Sequence, residues 1–332
     1  MDHPEFYRNL GPYTLRQIAD FLNADLECDD ENTKIDNFNS LGKSKYSDIT
    51  FINDNINISF DKVKTENIII SKRNNKIHKS INKNIIRVDN LHLAVAKLSN
   101  YFYIPYDKNY INSLNPYKIN GSPKHIENSS IISNGVLLGK NAFVESGVHI
   151  GYNCIIGNNV TIGNNTIITN SIIGDNVNIG RNCSIGQMGF GFAINKNKNE
   201  KIFHKGRVIL QNNVQIGSNC CIDRGSFDDT VIGENTYFDN LCHVAHNVII
   251  GNNCIFAACT GIAGSAVIGN GVMTGGQVGI AGHIRVGDGV QIAAKSGVFN
   301  DISDGEEIMG SPAINKFKYI RNYKKNYGKK IN

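Results

Sequence analysis

From about residue 130 onwards, an apolar residue recurs every six positions and is usually followed by glycine. In the longest run, twelve consecutive positions from Ile232 to Val298 keep this phase, and only Thr274 is not apolar. Neither an α-helix nor an ordinary antiparallel strand has a period of six. The pattern therefore predicts a parallel β-helix of hexapeptide repeats, each a short strand and a corner. The earlier inward positions are Ile132, Leu138, Val144, Ile150, Ile156, Ile162, Ile168, Ile173, Ile179, Ile185, Leu210, Ile216 and Ile222.

Small residues stand two positions before these apolar residues, and we expect them to point inward as well. They are Val136, Ala142, Val148, Cys154, Val160, Thr166, Val177, Cys183, Cys220, Cys242 and Cys254. Five of the eight cysteines belong to this set, which indicates small core residues with unreactive thiols. No cysteine lies in a CxxC pair, so a zinc ribbon or finger is disfavoured, and disulfides are not expected. The Gly or Asn after each apolar residue is predicted to form the tight corner.

The repeat converts sequence spacing into geometry. With three hexapeptides per turn, residues 18 positions apart, such as His246 and Gly264, lie about one strand spacing, ~4.8 Å, above one another. Two segments interrupt the period, residues 187–207 and residues 223–230. Because insertions in repeat architectures usually form functional loops, we expect both near a site.

The flanking segments lack the sixfold period. Residues 1–105 predict a small α/β domain, with helices at 13–22 (Thr14 as N-cap) and 91–98 and apolar strands at 48–53, 67–71 and 85–88. Residues 106–125 resemble a linker, 126–303 form the β-helix, and 304–332 predict a C-terminal helical extension. The predicted fold class is mainly β.

Composition narrows the function classes. The net charge of +5 over 332 residues is too small to indicate a nucleic-acid partner. No apolar run approaches the ~20 residues of a membrane span, and the N-terminus lacks a signal-peptide pattern, so we expect a cytoplasmic protein. The tail is basic and, after Glu307, contains no acidic residue, which predicts docking of an acidic partner; a solvated tail is the alternative. Its predicted docking residues are Lys316, Lys318, Arg321, Lys324 and Lys325.

The candidate chemistry lies in the second half of the repeat. His246 is ionisable in an aliphatic repeat, and Gly264 is predicted one coil above it. The side-chain-free N–H of Gly264 suits an oxyanion, with His246 as general base and Asp239 orienting its ring. His283 lies two coils up, on the order of 10 Å away. This group predicts acyl transfer to an external nucleophile.

A zinc site is the main chemical alternative, because some hexapeptide β-helices bind zinc through three histidines. His243 and His246 are three residues apart, however, and we expect His243 to point outward beside the inward Val244. Such a pair faces two directions, which disfavours shared zinc ligation. No GxSxG nucleophile elbow is present either.

Specific motifs point to one family. The ordered blocks IDRG, DDT, IG, DN and AHN between residues 222 and 247 follow GQMGFG at 186–191, and GHIRVGDGV and GSPA come later. SDITFIND at 47–54 and VDNLHLAVAKL at 88–98 add N-terminal matches. Over nearly its whole length, the chain resembles the UDP-3-O-(3-hydroxyacyl)glucosamine N-acyltransferase (LpxD) family of lipid A synthesis, whose coils are left-handed.

The resemblance implies roles residue by residue. His246 matches the general base, Asp239 its assisting acid, Gly264 the oxyanion donor, and His283 a histidine that orients the thioester or phosphopantetheine. Phe51 would stack on uridine. The expected substrate contacts are Phe51, Asn53 and Asn240. The acyl donor would be carried on the 4′-phosphopantetheine of acyl carrier protein, which would dock on the tail, and no cofactor would be bound permanently. The resemblance also implies a homotrimer acting on UDP-3-O-acylglucosamine.

Two departures from the family stand out. Met188 replaces an Asp that often precedes GFG, and Asn57 replaces a Tyr that completes the uracil sandwich. Gly297 predicts room for a longer acyl chain. Three rival functions remain: an O-acyltransferase of UDP-N-acetylglucosamine, which generally lacks the N-terminal domain; an acetyltransferase using coenzyme A; and a non-enzymatic scaffold.

Overall fold

The computed structural model describes residues 6–54, 63–74, 83–195, 198–310, 321–322 and 324–325, without the side chains of residues 108 and 110. Three parallel sheets form the sides of a β-helix, and a five-stranded sheet with helices forms the N-terminal domain. The parallel β-helix of hexapeptide repeats predicted from the period is confirmed.

Each face of the β-helix is a ladder of short strands, one from each coil, paired in parallel with the coils above and below. The first face contains Lys118–Ile119, Leu137–Leu138, Ile155–Ile156, Ser171–Ile173, Val208–Leu210, Thr230–Ile232, Ile249–Ile250, Val267–Ile268 and Arg285–Val286. The second face contains His125–Ile126, Phe143–Val144, Thr161–Ile162, Asn178–Ile179, Gln215–Ile216, Tyr237–Phe238, Ile255–Phe256, Met273–Thr274, Gln291–Ile292 and Glu307–Ile308. The third face contains Ile131–Ile132, His149–Ile150, Ile167–Ile168, Ser184–Met188, Cys221–Arg224, His243–Val244, Gly261–Ile262, Gly279–Ile280 and Gly297–Val298.

The inward positions form one continuous apolar core along the β-helix. Every small residue predicted to point inward is at most 3% exposed, including the five cysteines. Burial raises the pKa of the Cys154 thiol to about 12, which keeps it protonated and unreactive. Thr274 is also buried, and its hydroxyl lies 3.0 Å from that of Thr260, so the polar exception in the repeat is hydrogen-bonded.

The corners differ from the prediction. The residue with positive φ comes three positions after the inward residue and is usually asparagine, as at Asn141 and Asn159. These amides stack between coils, since Asn141 Nδ2 donates to Asn159 Oδ1 at 3.0 Å. Apart from Gly186, the glycines directly after inward residues have no positive φ; a Cβ on Gly139 would instead collide with the backbone of Gly157 in the next coil. Glycine is therefore needed there for close stacking, and the predicted turn role was wrong.

The N-terminal domain has the predicted α/β character. Its sheet runs in the order Asp25–Glu27, Asn84–Val88, Asn67–Ser71, Asp48–Phe51, Asn37–Phe38, with only the first pair antiparallel. Helix α1 (Leu15–Leu22) begins at Thr14, whose side chain accepts from the Gln17 N–H in a capping box. Helix α2 (Leu91–Phe102) is longer than predicted and is capped by Asn90. Three antiparallel pairs complete the described strands: Tyr7–Asn9 with Tyr103–Pro105, Tyr13–Thr14 with Lys34–Ile35, and Phe192–Ala193 with Glu200–Lys201.

The two insertions connect the β-helix to the N-terminal domain. Ser40 Oγ donates to Asp228 Oδ1 at 2.9 Å, and Lys43 Nζ lies 3.2 Å from Asp229. Arg207 pairs with Asp229 through two side-chain bonds of 2.8 and 3.1 Å. Burial alone would raise the pKa of Asp229, but the hydrogen bonds and charge of Arg207 outweigh burial and lower it. These contacts fix the insertions between the two domains.

The β-helix extends beyond its predicted limits. Lys118–Ile119, inside the predicted linker with helix α3 (Lys108–Ser113), pairs with Leu137–Leu138. Glu307–Ile308 pairs with Gln291–Ile292. A seven-residue step from Ile119 to Ile126 and a ten-residue step from Val298 to Ile308 break the sixfold period, which hid both strands. In the described part of the chain, no helix is long and apolar enough to cross a membrane.

Candidate functional site

A groove of about 540 Å³ runs along the third face of the β-helix, over its C-terminal coils. The floor of the groove is formed by outward positions that have no bulky side chain. Gly261, Gly279 and Gly297 occupy these positions and stack in successive coils above His243. Added Cβ atoms at Gly261 and Gly279 would meet nothing within 4 Å. Three coils of small residues therefore leave a straight, largely apolar trough about 10 Å long.

The two ends of the groove carry different chemistry. At one end the exposed Phe299 ring lies over Gly297, whose Cβ would stand 3.1 Å from Phe299 Cε2. Gly297 thus does not simply leave room, as predicted, because Phe299 occupies the space above it. At the other end, His243, His246 and Asp223 line the groove. The trough between Phe299 and this polar end is open and largely apolar.

His246 lies half-buried in this polar end, and its surroundings define its tautomer. Nδ1 is 3.0 Å from Asn247 Oδ1. The same Oδ1 accepts from Ser226 N at 3.0 Å and Ser226 Oγ at 2.8 Å, which identifies it as the oxygen of the amide. His246 Nδ1 must therefore carry the proton. Nε2 is left with its lone pair, as a general base requires.

Gly264 lies directly against this ring, as the 18-residue spacing predicted. A Cβ on Gly264 would stand 2.7 Å from His246 Cε1 and 2.9 Å from Nε2. Within the described residues, the Gly264 N–H has no hydrogen-bond acceptor. In the described part of the chain, a basic nitrogen and an unpaired backbone N–H therefore belong to neighbouring residues, and these are the two kinds of group that base-assisted acyl transfer uses.

His204 is a neighbour of His246 that sequence reasoning missed. The two rings are 5.2 Å apart and nearly perpendicular. His204 is only 1% exposed, and burial, together with the charges of His246 and Arg224, lowers its pKa to about 3. The only sequence signal was its position in the first insertion, which does not identify an individual residue.

Asp223 is a second residue that was not singled out. It is 3% exposed, accepts from Gln187 Nε2 at 2.8 Å, and lies 3.8 Å from His243 Nε2. Burial raises the pKa of its carboxyl, although the Gln187 bond and the histidines oppose that rise. His243 points outward, as predicted. In the described part of the chain, no three His, Cys, Asp or Glu residues cluster in a way that could hold a metal ion.

Asp239 does not orient His246 within one chain, contrary to the prediction. It follows the second-face strand Tyr237–Phe238, one corner before His246, and its Oδ1 accepts from Asn240 N and Nδ2. Asn240 Oδ1 in turn accepts from Ser218 N at 2.8 Å. The ring of His246 is held instead by Asn247, the next residue in the chain.

His283 stands two coils above His246, as the spacing predicted. It occupies a corner with φ of 61°, its side chain is exposed, and its N–H donates to Gly264 O at 3.1 Å. Among the described residues, its side chain does not line the groove. Within one chain, the structure therefore brings together His246 and Gly264, but not Asp239 or the His283 ring.

The predicted uridine residues lie in the N-terminal domain. Phe51 is half-buried, and its ring packs 5.6 Å from Phe38 and 5.5 Å from Phe227 of the second insertion. Asn53 is exposed nearby in sequence. Ser226, the residue before Phe227, bonds to Asn247, so consecutive contacts join Phe51 to the His246 pocket.

Several predictions fall outside the described residues. They concern Asn57, Lys316, Lys318 and the GSPA segment after residue 310. Arg321, Lys324 and Lys325 are described as exposed residues with helical backbone. Met188, at the position where the family often has Asp, ends a third-face strand and pairs with Arg224.

Comparison with known proteins agrees with this architecture. The bacterial transferase hexapeptide family (six repeats) matches residues 135–170 and 229–264, and the hexapeptide repeat of succinyl-transferase matches residues 171–194. The solved UDP-N-acetylglucosamine acyltransferase (LpxA) from Bacteroides fragilis superposes with a TM-score of 0.50 at 24% identity, over 63% of this chain and 87% of that one. This likeness supports the fold alone.

Sequence relatives are more specific. The UDP-3-O-acylglucosamine N-acyltransferase of Rickettsia bellii is 39% identical over 285 residues, covering 75% of each chain. The enzyme of the same name from Helicobacter pylori is 41% identical over 188 residues, covering 54% of this chain and 53% of its own. A relative that is 39% identical and matches three quarters of both chains shows the family: the protein belongs to the UDP-3-O-acylglucosamine N-acyltransferase family and is an acyltransferase.

Proposed function

We propose that this protein transfers a 3-hydroxyacyl group from acyl carrier protein to the 2-amine of UDP-3-O-(3-hydroxyacyl)glucosamine, in lipid A synthesis. The observation that carries the proposal is the His246 tautomer: Nε2 is basic and lies beside the Gly264 N–H at the polar end of an apolar groove. The identity of the family supports the sugar nucleotide as acceptor. Acyl carrier protein as donor places the reaction in the cytoplasm.

In the proposed reaction, the amine nitrogen attacks the thioester carbonyl while His246 Nε2 takes a proton from it. The Gly264 N–H stabilises the negative charge that develops on the carbonyl oxygen. When the carbon–sulfur bond breaks, an amide has formed, and the phosphopantetheine thiol receives its proton from His246. Asn247 keeps Nδ1 protonated throughout, so the base always presents the same nitrogen.

The groove supports an acyl chain as the transferred group. The chain would lie along Gly261 and Gly279 towards Phe299, with its thioester at His246. No cofactor needs to be bound permanently, because the donor brings its own phosphopantetheine arm. His283 would contact that arm outside the groove, and the exposed basic residues Arg321, Lys324 and Lys325 would dock the acidic carrier protein.

The acceptor nucleotide would bind between the domains. Phe51 offers a half-buried ring for uracil, and Asn53 and Asn240 offer exposed amides for the sugar nucleotide. One face of Phe51 is already in contact with Phe38 and Phe227, so a single-sided stack is expected. Asp239 would assist from a neighbouring subunit rather than from its own chain.

A homotrimer is also part of the proposal. The outward positions of the first face form an unbroken aliphatic ladder over seven strands: Leu137, Ile155, Ile172, Ile209, Val231, Ile249 and Val267. A contiguous apolar surface of this kind is typical of a protein–protein interface. Packing against a second copy would remove it from water.

Acyl transfer by purified protein tests the proposal. Both 3-hydroxyacyl carrier protein and 3-hydroxyacyl coenzyme A are offered as donors, with UDP-3-O-acylglucosamine and UDP-N-acetylglucosamine as acceptors, and products are identified by mass spectrometry. We expect amide from the carrier-protein donor and the 2-amine acceptor, and a loss of at least about 10²-fold in His246→Ala. An ester product from UDP-N-acetylglucosamine, a preference for coenzyme A, or no product from folded protein contradicts the proposal.

A further inference from the structure

We propose that His204 is a positioning residue for His246, a deepening that rests on the proposed acyl transfer. His204 lies in the first insertion, outside the repeat, yet its ring packs edge to face against the His246 ring with centroids 5.2 Å apart. Asn247 holds one side of His246 by a hydrogen bond. His204 bounds the ring from a second side, so the two together restrict its rotation.

The protonation of His204 follows from its contacts. The Gly189 N–H donates to Nδ1 at 3.1 Å, so the single proton of the neutral ring lies on Nε2. Nε2 is completely buried, and within the described residues it has no hydrogen-bond partner. With Nδ1 occupied and Nε2 sealed from the groove, His204 does not exchange protons with a substrate. Its role is therefore positioning and not acid–base catalysis.

The packing of the His204 and His246 rings explains why GQMGFG has glycine at positions 189 and 191. A Cβ on Gly189 would stand 2.9 Å from both His204 Cε1 and His246 Cβ, and a Cβ on Gly191 would stand 2.6 Å from His204 Nε2. The segment therefore closes directly over the two rings, which only glycine permits. Phe190, between these glycines, is 85% exposed and lines the groove.

The segment carrying His204 is fastened independently of the groove. Phe203 N donates to Ser99 Oγ at 2.9 Å, and Lys205 Nζ donates to Phe38 O at 2.9 Å, both in the N-terminal domain. Arg224 Nε donates to His204 O at 2.8 Å. His204 is thus held from the N-terminal domain and the β-helix at once, as a rigid support for a catalytic ring requires.

Neutrality is essential to this role. A second positive charge at 5.2 Å would oppose formation of the His246 imidazolium during proton transfer. Burial and the Arg224 charge keep His204 uncharged at working pH. A neutral imidazole therefore supplies packing and shape without electrostatic opposition.

The experiment compares wild type with His204→Ala, His204→Gln and the matched control Phe203→Leu, which alters the same segment on its N-terminal-domain side. Steady-state kinetics give kcat and KM separately, and ¹⁵N NMR of labelled histidines, without substrate, reports the tautomer of His246. For His204→Ala we expect kcat to fall by up to about 10²-fold with KM nearly unchanged, and mixed tautomers. His204→Gln, which still accepts from Gly189, should recover most of kcat.

The control separates positioning from general loss of structure. Phe203→Leu should keep both the wild-type kcat and a single Nδ1–H tautomer at His246. The proposal is overturned if His204→Ala keeps one tautomer and a kcat within about twofold of wild type, or if Phe203→Leu loses as much activity. Because the NMR measurement needs no turnover, an inactive wild type would contradict the proposed function while the tautomer still decides the role of His204.

Discussion

His246 and Asn247 are adjacent in the chain, and a hydrogen bond of 3.0 Å between Nδ1 of the histidine and Oδ1 of the asparagine fixes which nitrogen is basic. Two donors from Ser226 fix the amide in turn. The orienting group is therefore a neutral amide rather than a carboxylate. It selects the tautomer but adds no full negative charge to stabilise the imidazolium.

Asn247→Leu tests this relationship. Leucine is tolerated at such a corner, since Leu241 has φ of 62° at the equivalent position, but it cannot accept from His246. We expect kcat to fall by about 10²-fold because the ring loses its fixed orientation. Asn253→Leu, at the next corner of this type (φ 58°), is the matched control and should keep full activity. Equal kcat in the two variants would contradict the role of Asn247.

Gly264→Ala tests the proximity of the backbone donor to the base. The new Cβ would stand 2.7 Å from His246 Cε1, displacing the ring and shielding the N–H. We expect kcat to fall by about 10²-fold or more, because the displaced ring no longer presents Nε2 to the amine as general base. Gly276→Ala, at the same hexapeptide position on another face, has its nearest neighbour at 3.4 Å and should be active. Thermal unfolding of both variants checks that the fold is intact.

The fold was predictable from sequence because the residues of each hexapeptide determine the strand and the corner that it forms. An inward aliphatic residue, a small inward partner and a corner asparagine recur in almost every coil, so each position is specified many times. The 18-residue spacing that follows brought Gly264 to His246 correctly. Predictions based on this periodic register succeeded because the β-helix repeats its backbone geometry.

Residues outside the register could not be placed in this way. His204 reaches the site through an insertion whose path depends on tertiary contacts, such as Arg207 with Asp229. Asp239 follows a second-face strand, one corner before His246, and its carboxylate accepts from Asn240 instead. Spacing predicts neighbours only where the backbone repeats.

The groove predicts an effect of acyl-chain length at the end where Phe299 lies. Phe299→Ala removes the ring that lies over Gly297 and should shift the preferred donor towards longer acyl chains. Gly297→Met adds bulk where a Cβ would already stand 3.1 Å from Phe299 Cε2, so it should crowd this end further and shift the preference towards shorter chains. A profile of kcat/KM against carrier proteins of graded chain length measures both. An unchanged profile in both variants would remove this end of the groove from acyl-chain selection.

Acid stability should depend on His204. Its pKa falls from 6.5 to about 3 on folding, so below pH 6.5 the unfolded chain binds a proton that the folded chain does not. The free energy of unfolding therefore decreases as pH falls from about 6.5 towards 3, by up to about 1.4 kcal/mol per pH unit from this group. Urea unfolding at graded pH should show a shallower decrease for His204→Gln. Parallel curves for the two proteins would exclude His204 as the source.

The aliphatic ladder of the first face predicts the oligomeric state. Ile249 is 47% exposed in one chain, so Ile249→Lys should cost an isolated subunit little, within about 0.5 kcal/mol. If the face is buried between subunits, the same lysine places unpaired charge in an apolar interface and should dissociate the trimer. Light scattering with size-exclusion chromatography measures the mass. Met273→Lys, 41% exposed on the second face, is the control and should remain trimeric.

Because Asp239 would reach His246 only from a neighbouring subunit, loss of the trimer should also reduce acyl transfer. A fully active Ile249→Lys monomer would show that one chain contains the complete site.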